Sequence, residues 1–308
     1  MRVALTGGSG FLGQALSARL LAAGARVCWL SHAPEAACGK VPAGIAVRGY
    51  DQLRPDDEWD ALINLAGAPI ADRRWSAARK QRLLQSRLVP TQALLDWLAT
   101  THRKPRVLLS GSATGWYGNQ GDVLLDERSG FHDEFAHRLC AQWEEAALCA
   151  QQHGVPVALL RTGVVLHPSG GMLARLALPF RMGLGGRLGD GRQYLSWIAL
   201  QDWVAAVLWL LHAHLDGAEG DAAQALTGPV NLTAPVPVTN AQFTRAYAAA
   251  CARPALLPVP AALLRLGLGE LATLLLDGQR VLPTRLGEAG FAFRFATLEA
   301  ALAAEATA

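Results

Sequence analysis

The sequence predicts an α/β fold: a doubly wound parallel sheet with a smaller α/β lobe toward the C-terminus. Three observations carry this. Between Arg2 and Leu166, apolar runs of strand length alternate with helical patterns. Those runs are apolar throughout, as in strands covered on both faces. A glycine-rich turn joins the first strand to the first helix. Apolar residues make up 51% of the 308 and charged residues only 17%, so a sizeable core is available and a disordered chain is excluded.

The elements follow in order. "RVALTG" is a strand, and Phe11 to Ala23 a helix with Leu12, Leu16 and Leu20 on one face. "ARVCWLS" is the next strand. "DALINLAG" and "PRVLLSGSA" are two more, separated by a long helix around Gln81 to Leu98. "AHRLCAQWEE" reads as a helix with Leu139, Trp143 and Ala146 inward, and "VPVALLRTGVVL" as a strand. From His167 glycines crowd the chain through Gly191, which suits an irregular excursion over a ligand. "DWVAAVLWLLHAHL" is helical, "GPVNLTA" returns as a strand, Asn240 suits the N-cap of a further helix, and "GFAFRF" is a late strand. The expected division is 1–166 with 196–233 for the sheet domain, and 167–195 with 234–308 for the substrate lobe.

Bulk features exclude several functions. The formal charge of +3 is spread over scattered arginines without a block of like charges, so the sequence gives nucleic acid no binding surface. Five cysteines show no metal-ligand spacing, and an odd number does not fit a disulfide framework. Prolines, Arg265 and Glu270 interrupt the most apolar stretch, so no membrane span is expected. A cytoplasmic protein is the expectation; the oligomeric state is not readable.

"VALTGGSGFLGQAL" carries the strongest signal. Gly7, Gly10 and Gly13 follow a strand and open a helix. They allow a tight turn, a close backbone approach to a pyrophosphate and close helix–strand packing. Ser9, Phe11 and Leu12 place their N–H groups at the helix mouth, where the dipole favours an anion. The turn predicts a Rossmann-type dinucleotide site. At the end of the second strand, Ser31 and His32 stand where an NAD site carries an acidic residue, and Glu35 comes late. A carboxylate would repel a 2′-phosphate, so NADP(H) is favoured over NAD(H).

Thr6 with the Gly7-x-x-Gly10-x-x-Gly13 spacing, "NLAG" and "SGSATGWYG" resemble the short-chain dehydrogenase/reductase superfamily. The order of "NLAGAPIADRRW", "SGSATGWYG", "LCAQWEEAA", "LLRTGVVL", "GDGRQYLSWI" and "GFAFRF" resembles one atypical extended branch of it. This is the NAD(P)-dependent epimerase-like (YfcH-like) family, with a C-terminal domain of unassigned function. The resemblance implies a cytosolic Rossmann-type protein binding NADP(H). It implies cofactor contacts at Ala66 and Gly67, and at Thr162, Gly163 and Val164 beside the nicotinamide. Ala199 departs from it, standing where the branch often has histidine.

The superfamily's usual acid/base unit is a tyrosine with a lysine four residues on. Four residues beyond Tyr50, Tyr117, Tyr194 and Tyr247 lie Arg54, Gly121, Ile198 and Cys251, so the pair is absent. Ser112 matches the superfamily serine that polarises a substrate oxygen, or else caps the following turn. Tyr117 supplies a phenol or packs as a buried aromatic. Glu144 or Glu145 offers a carboxylate base or a solvated helix face, and Cys140 reads as buried packing. Arg161 reads as structural. Arg187 and Arg192, with Gln193 and Tyr194, suit an anionic substrate, or a surface loop paired with Asp190. Two functions remain open: an NADP(H)-dependent oxidoreductase or epimerase acting on a small polar metabolite, and a non-catalytic NADP(H)-binding redox sensor.

Overall fold

A computed structural model describes residues 1–39, 41–216 and 226–306. The N-terminal part runs β1 (Arg2–Thr6), α1 (Phe11–Ala22), β2 (Arg26–Ser31), α2 (Pro34–Cys38), β3 (Ile45–Gly49), β4 (Ala61–Asn64), α3 (Ala77–Thr100) and β5 (Leu108–Ala113). After the short β6 (Leu124–Leu125) come α4 (Phe135–Leu148), β7 (Val157–Thr162), β8 (Val164–His167), α5 (Gly171–Arg181), β9 (Tyr194–Leu195), β10 (Trp197–Ala199) and α6 (Leu200–Asp216). The chain closes with β11 (Gly228–Leu232), β12 (Val238–Thr239), α7 (Asn240–Ala250), α8 (Ala261–Leu268), α9 (Thr273–Leu276), β13 (Arg280–Val281), α10 (Thr284–Glu288) and α11 (Leu298–Ala306).

Seven strands form one sheet in the order β11-β7-β5-β4-β1-β2-β3, every neighbouring pair parallel. The order reverses between β1 and β4, and a crevice at such a switch point is where open α/β sheets bind ligands. Successive strand residues point to opposite faces. Val3, Leu5, Val27, Trp29, Ile63, Leu109 and Leu160 pack with Leu16 and Leu20 of α1 and Trp203 and Leu210 of α6. Ala4, Cys28, Leu30, Leu62, Leu108 and Leu159 pack on the other face with Leu94 and Leu98 of α3 and Ala147 of α4. The continuous apolar runs follow from this two-sided cover.

The structure departs from expectation in four places. "VPVALLRTGVVL" is two strands, because the chain leaves the main sheet at Gly163 and β8 pairs instead with β10. A Cβ at Gly163 would lie 2.4 Å from the Ser196 carbonyl oxygen, so only glycine allows that approach. Part of the glycine-rich excursion is the helix α5, while its second half is tied down: Gly189 N–H donates to the Val259 carbonyl and Leu188 N–H to Asn240 Oδ1. Asn240 is therefore occupied, and Thr239 caps α7 through a reciprocal pair with Gln242. "GFAFRF" is not a strand. Asp202 accepts from the N–H groups of Arg294 and Phe295, both at 2.9 Å, so a side chain replaces the ladder.

The smaller lobe has its own core, in which Phe180 of α5, Phe243 and Tyr247 of α7, and Leu298 and Leu302 of α11 meet. Ion pairs tie it to the N-terminal part. Lys80 of α3 pairs with Glu270 at 2.6 Å, and Arg175 of α5 with Asp72. Among the described residues no helix is long and apolar enough to cross a membrane, and no three potential ligands gather to hold a metal ion.

Candidate functional site

Thr6 and Asn64, partners across β1 and β4, end the two strands at the switch point. Thr6 Oγ1 donates to Asn64 Oδ1 at 2.7 Å and accepts from Ala66 N–H at 3.1 Å; Asn64 Nδ2 donates to Thr91 Oγ1 at 2.8 Å. All three polar side chains are buried. The network fixes the β4 exit, so Ala66 and Gly67 sit beside the turn that follows β1.

That turn is shaped by missing side chains. Gly7 has φ +70°, and a Cβ there would lie 2.6 Å from the Leu65 carbonyl. At Gly13 a Cβ would lie 2.3 Å from the Gly7 oxygen, so α1 can press against the turn only with glycine there. Gly8, which the motif does not single out, is equally constrained: a Cβ would strike the Trp29 ring at 2.4 Å. The ring is fixed by its Nε1 bond to Ser17. Gly10 is different. It is exposed, and a Cβ there meets only the Gly7 oxygen, at 3.2 Å, so what a side chain would fill is the cradle itself.

Gly10 caps α1 without a side-chain hydrogen bond, leaving the first-turn N–H groups of Phe11 and Leu12 to an external acceptor. Ser9 is exposed at the rim. The Phe11 ring packs beneath Gly170, where a Cβ would lie 2.3 Å from it. Ser31 ends β2 with its Oγ accepting from Ala33 N–H, and His32 is exposed beyond it; no carboxylate stands at either position. The residues present fit a dinucleotide.

Thr162 ends β7, Gly163 makes the break and Val164 begins β8, all on the carboxyl edge. Thr162 Oγ1 accepts from Trp203 Nε1 at 3.1 Å, so its side chain faces α6.

On the opposite face of that edge lies a buried polar corner. Ser112 and Arg161 are register partners in β5 and β7, so their side chains share the face covered by α4. Glu144 of α4 meets both. Ser112 Oγ donates to Glu144 Oε1 at 2.6 Å; Arg161 Nε donates to Oε1 and Nη2 to Oε2, both at 2.8 Å. Exposure is 6%, 5% and 3% for Ser112, Glu144 and Arg161. Arg161 also stacks over Trp116 at 3.5 Å, and its Nη1 is buried without a partner. Glu144 is thus not a solvated helix-face residue, whereas Glu145 beside it is exposed. Arg161 is the structural residue expected, now with its partner named.

Of the remaining candidates, Tyr117 packs as a buried aromatic and Cys140, as expected, is buried. Tyr117 is fully buried and its hydroxyl donates to Asn231 Oδ1 at 2.7 Å. Burial pushes the phenol up to about 12, despite the opposing pull of Arg161, so it is a packed aromatic and not a phenol poised at the cleft. Burial, with Glu144 adding to it, pushes the Cys140 thiol up to about 11. Helix α4, where the superfamily's pair is expected, carries neither tyrosine nor lysine; its Leu139 packs with Trp75 and Leu83, and its Trp143 ring occupies the space a Cβ at Gly111 would need. Lys80 is engaged with Glu270, and Lys104 with the Leu98 carbonyl. Lys40 lies outside the described residues.

Arg187 lines a cavity of about 660 Å³ between α7 and residues 253–258, with Arg245 and Arg253 and, among the described residues, no carboxylate on its walls. Asp190 accepts from the Arg192 backbone N–H, not from Arg187. The structure therefore places Arg187 on a basic cavity of the smaller lobe.

Known proteins are similar to this chain in sequence and fold. Residues 3–224 match the model of the NAD dependent epimerase/dehydratase family, and residues 259–305 that of a domain of unknown function, DUF1731. An epimerase family protein of Mycobacterium bovis is 43% identical, covering 97% of this chain and 96% of its own length. One from Staphylococcus aureus is 32% identical with the same coverage. The crystal structure of the human epimerase family protein SDR39U1 (isoform 2) with NADPH superposes with TM-score 0.88 at 32% identity, covering 100% of this chain and 99% of that one. A UDP-galactose 4-epimerase shares the fold, with TM-score 0.74 at 18% identity, covering 100% of this chain and 98% of that one.

Proposed function

The chain belongs to the NAD dependent epimerase/dehydratase family, and from that premise we propose that it is an NADP(H)-dependent oxidoreductase or epimerase of a small polar metabolite. One observation carries the cofactor half. The β1–α1 turn is stripped of side chains around an exposed Gly10, and the β2 end that follows has Ser31 and His32 in place of a carboxylate. Gly7, Ser9, Gly10, Phe11, Leu12 and Gly13 would hold the pyrophosphate. Ser31 and His32 would receive the 2′-phosphate. Ala66, Gly67, Thr162, Gly163 and Val164 would border the rest. That the human relative was crystallised with NADPH supports the same choice.

When bound, the nicotinamide supplies a two-electron acceptor or donor. The chain's own contribution is Ser112, at the carboxyl edge of β5, which contacts the reacting oxygen of the substrate. Tyr117 takes no part, because its hydroxyl is spent on Asn231 inside the core. An anionic group on the substrate would find its counter-charge at Arg187 or Arg192.

Calorimetric titration with NADPH and NADH tests the cofactor assignment: binding of NADPH at least about tenfold tighter is expected from the uncompensated 2′-phosphate site, a difference of about 1.4 kcal/mol. Pools of hydroxy and carbonyl metabolites, followed by the absorbance of the reduced ring and by isotope exchange at substrate carbon, test the chemistry. Tight NADPH binding with neither consumption nor exchange would instead support a redox sensor. The specific observation favouring that second reading is that α4 carries neither a tyrosine nor a lysine.

A further inference from the structure

The hydroxyl of Ser112 has one proton, and the corner decides where it goes. Glu144 is contacted by two guanidinium N–H donors of Arg161, one on each carboxylate oxygen, at 2.8 Å. A carboxylate held this way is ionised and acts only as an acceptor. The Ser112–Glu144 bond of 2.6 Å must then be Ser112 donating. With its only proton committed, Ser112 can present nothing but lone pairs to a ligand.

We infer that Ser112 is a hydrogen-bond acceptor toward the cleft, and that the site is built to bind a substrate through a hydroxyl group, with Glu144 as the positioning residue that imposes this. The inference rests on the reading above that Ser112 meets the substrate's reacting oxygen, and it makes the serine the acceptor from that oxygen, where the resemblance implied a serine that polarises it. A carbonyl oxygen facing Ser112 would meet lone pairs with lone pairs. A hydroxyl donates to Oγ without any rearrangement.

The same geometry gives a proton route that does without the tyrosine–lysine pair. As an alcohol is oxidised, its C–H bond breaks and the hydride, with both electrons, passes to an oxidised nicotinamide dinucleotide. Its O–H proton moves to Ser112 Oγ while the Ser112 proton moves to Glu144 Oε1, and the substrate's C=O bond forms. Once the product has left, Glu144 returns that proton to Ser112 Oγ as Ser112 gives up to water the proton it took from the alcohol. Arg161 keeps its bond to Oε2 and returns the group to the carboxylate. The reverse reaction needs Glu144 loaded with a proton first, so the arrangement favours the alcohol as the bound form.

Neutron diffraction from deuterated crystals grown with NADPH reads the proton directly. The expected map has the Ser112 deuteron on the line to Glu144 Oε1 and no deuteron on Glu144. A deuteron on either carboxylate oxygen, or a Ser112 deuteron turned to the cleft, overturns the inference. A chemical probe gives an independent answer: in Ser112→Cys, alkylation of the introduced thiol by iodoacetamide is followed against pH by peptide mass spectrometry. The Glu144 charge beside the thiol should place the midpoint at least about one pH unit above that of Ser112→Cys/Glu144→Gln. Equal midpoints overturn it, and the neutron map decides should the double variant not fold. NADPH titration of the unaltered protein is run first. If NADPH fails to bind, the proposed function falls; if NADPH binds but the deuteron lies elsewhere, only this inference falls.

Discussion

The turn between β1 and α1 and the corner where β5, α4 and β7 meet share the carboxyl edge of one sheet, but they are assembled differently. The turn uses contiguous residues, Gly7 to Gly13, and works by the absence of side chains: a Cβ at Gly7, Gly8 or Gly13 would lie 2.6, 2.4 or 2.3 Å from its nearest neighbour. The corner uses Ser112, Glu144 and Arg161, which are well separated in sequence, and works by mutual satisfaction of buried polar groups. The first is a surface prepared for an external anion. The second is closed on itself, with Nη1 of Arg161 buried without a hydrogen-bond partner. The cradle is thus shaped by neighbours that press on a bare backbone, while a buried ion pair depends on all its members at once.

That difference sets the order of expected effects. Glu144→Leu should have the largest, because it leaves the buried Arg161 guanidinium without its counter-charge; a loss of about 3–5 kcal/mol is expected from urea unfolding. Adding Arg161→Met should recover most of it. If the double variant is as unstable as the single one, the corner is not a closed pair.

Gly10→Asp tests the turn with a change that the fold accepts but the anion does not. The Cβ meets only one oxygen at 3.2 Å, so the melting temperature should hold. A carboxylate in the cradle should weaken NADPH at least about 100-fold, or about 2.8 kcal/mol. Undiminished affinity by calorimetry would remove the dinucleotide from this turn.

Ser31→Asp is expected to be milder. It restores a carboxylate at the ribose end of the site, and should cost NADPH about tenfold while sparing NADH, as read by competitive titration. Equal effects on both coenzymes would show that Ser31 does not face the 2′-position. The smallest effect belongs to Tyr117→Phe, which removes one buried hydrogen bond to Asn231 and should cost about 1 kcal/mol of stability. NADPH affinity should stay the same, and a drop would bring the phenol back to the site.

Much of the fold was readable because its signals are periodic and local. The runs "RVALTG", "ARVCWLS" and "PRVLLSGSA" became central strands, since apolar residues on both faces have no other stable placement. The edge strand Ile45–Gly49 passed unnoticed because its side chains are only partly covered and the segment lacks that continuous run. "GFAFRF" misled for the opposite reason. It has the alternation of a strand, but Asp202 takes the N–H groups that a ladder would have used. Glu144 left a faint trace in the sequence: a carboxylate on the buried stripe that carries Ala136, Cys140 and Ala147, and an arginine inside the otherwise apolar "VALLRT". Two charges in two buried runs ask for each other, but sequence alone does not give the register that brings them together.

By itself, the sequence determined where the backbone must come close to something. Glycine spacing after a strand is a steric statement, and it marks the close approach whichever element makes it. Tertiary structure alone decided where protons and charges reside. Hydrogen bonding and ion pairing act across a few ångströms between side chains from different elements. Only the pairing of β5 with β7, and the laying of α4 across them, turned a serine, a glutamate and an arginine into one unit.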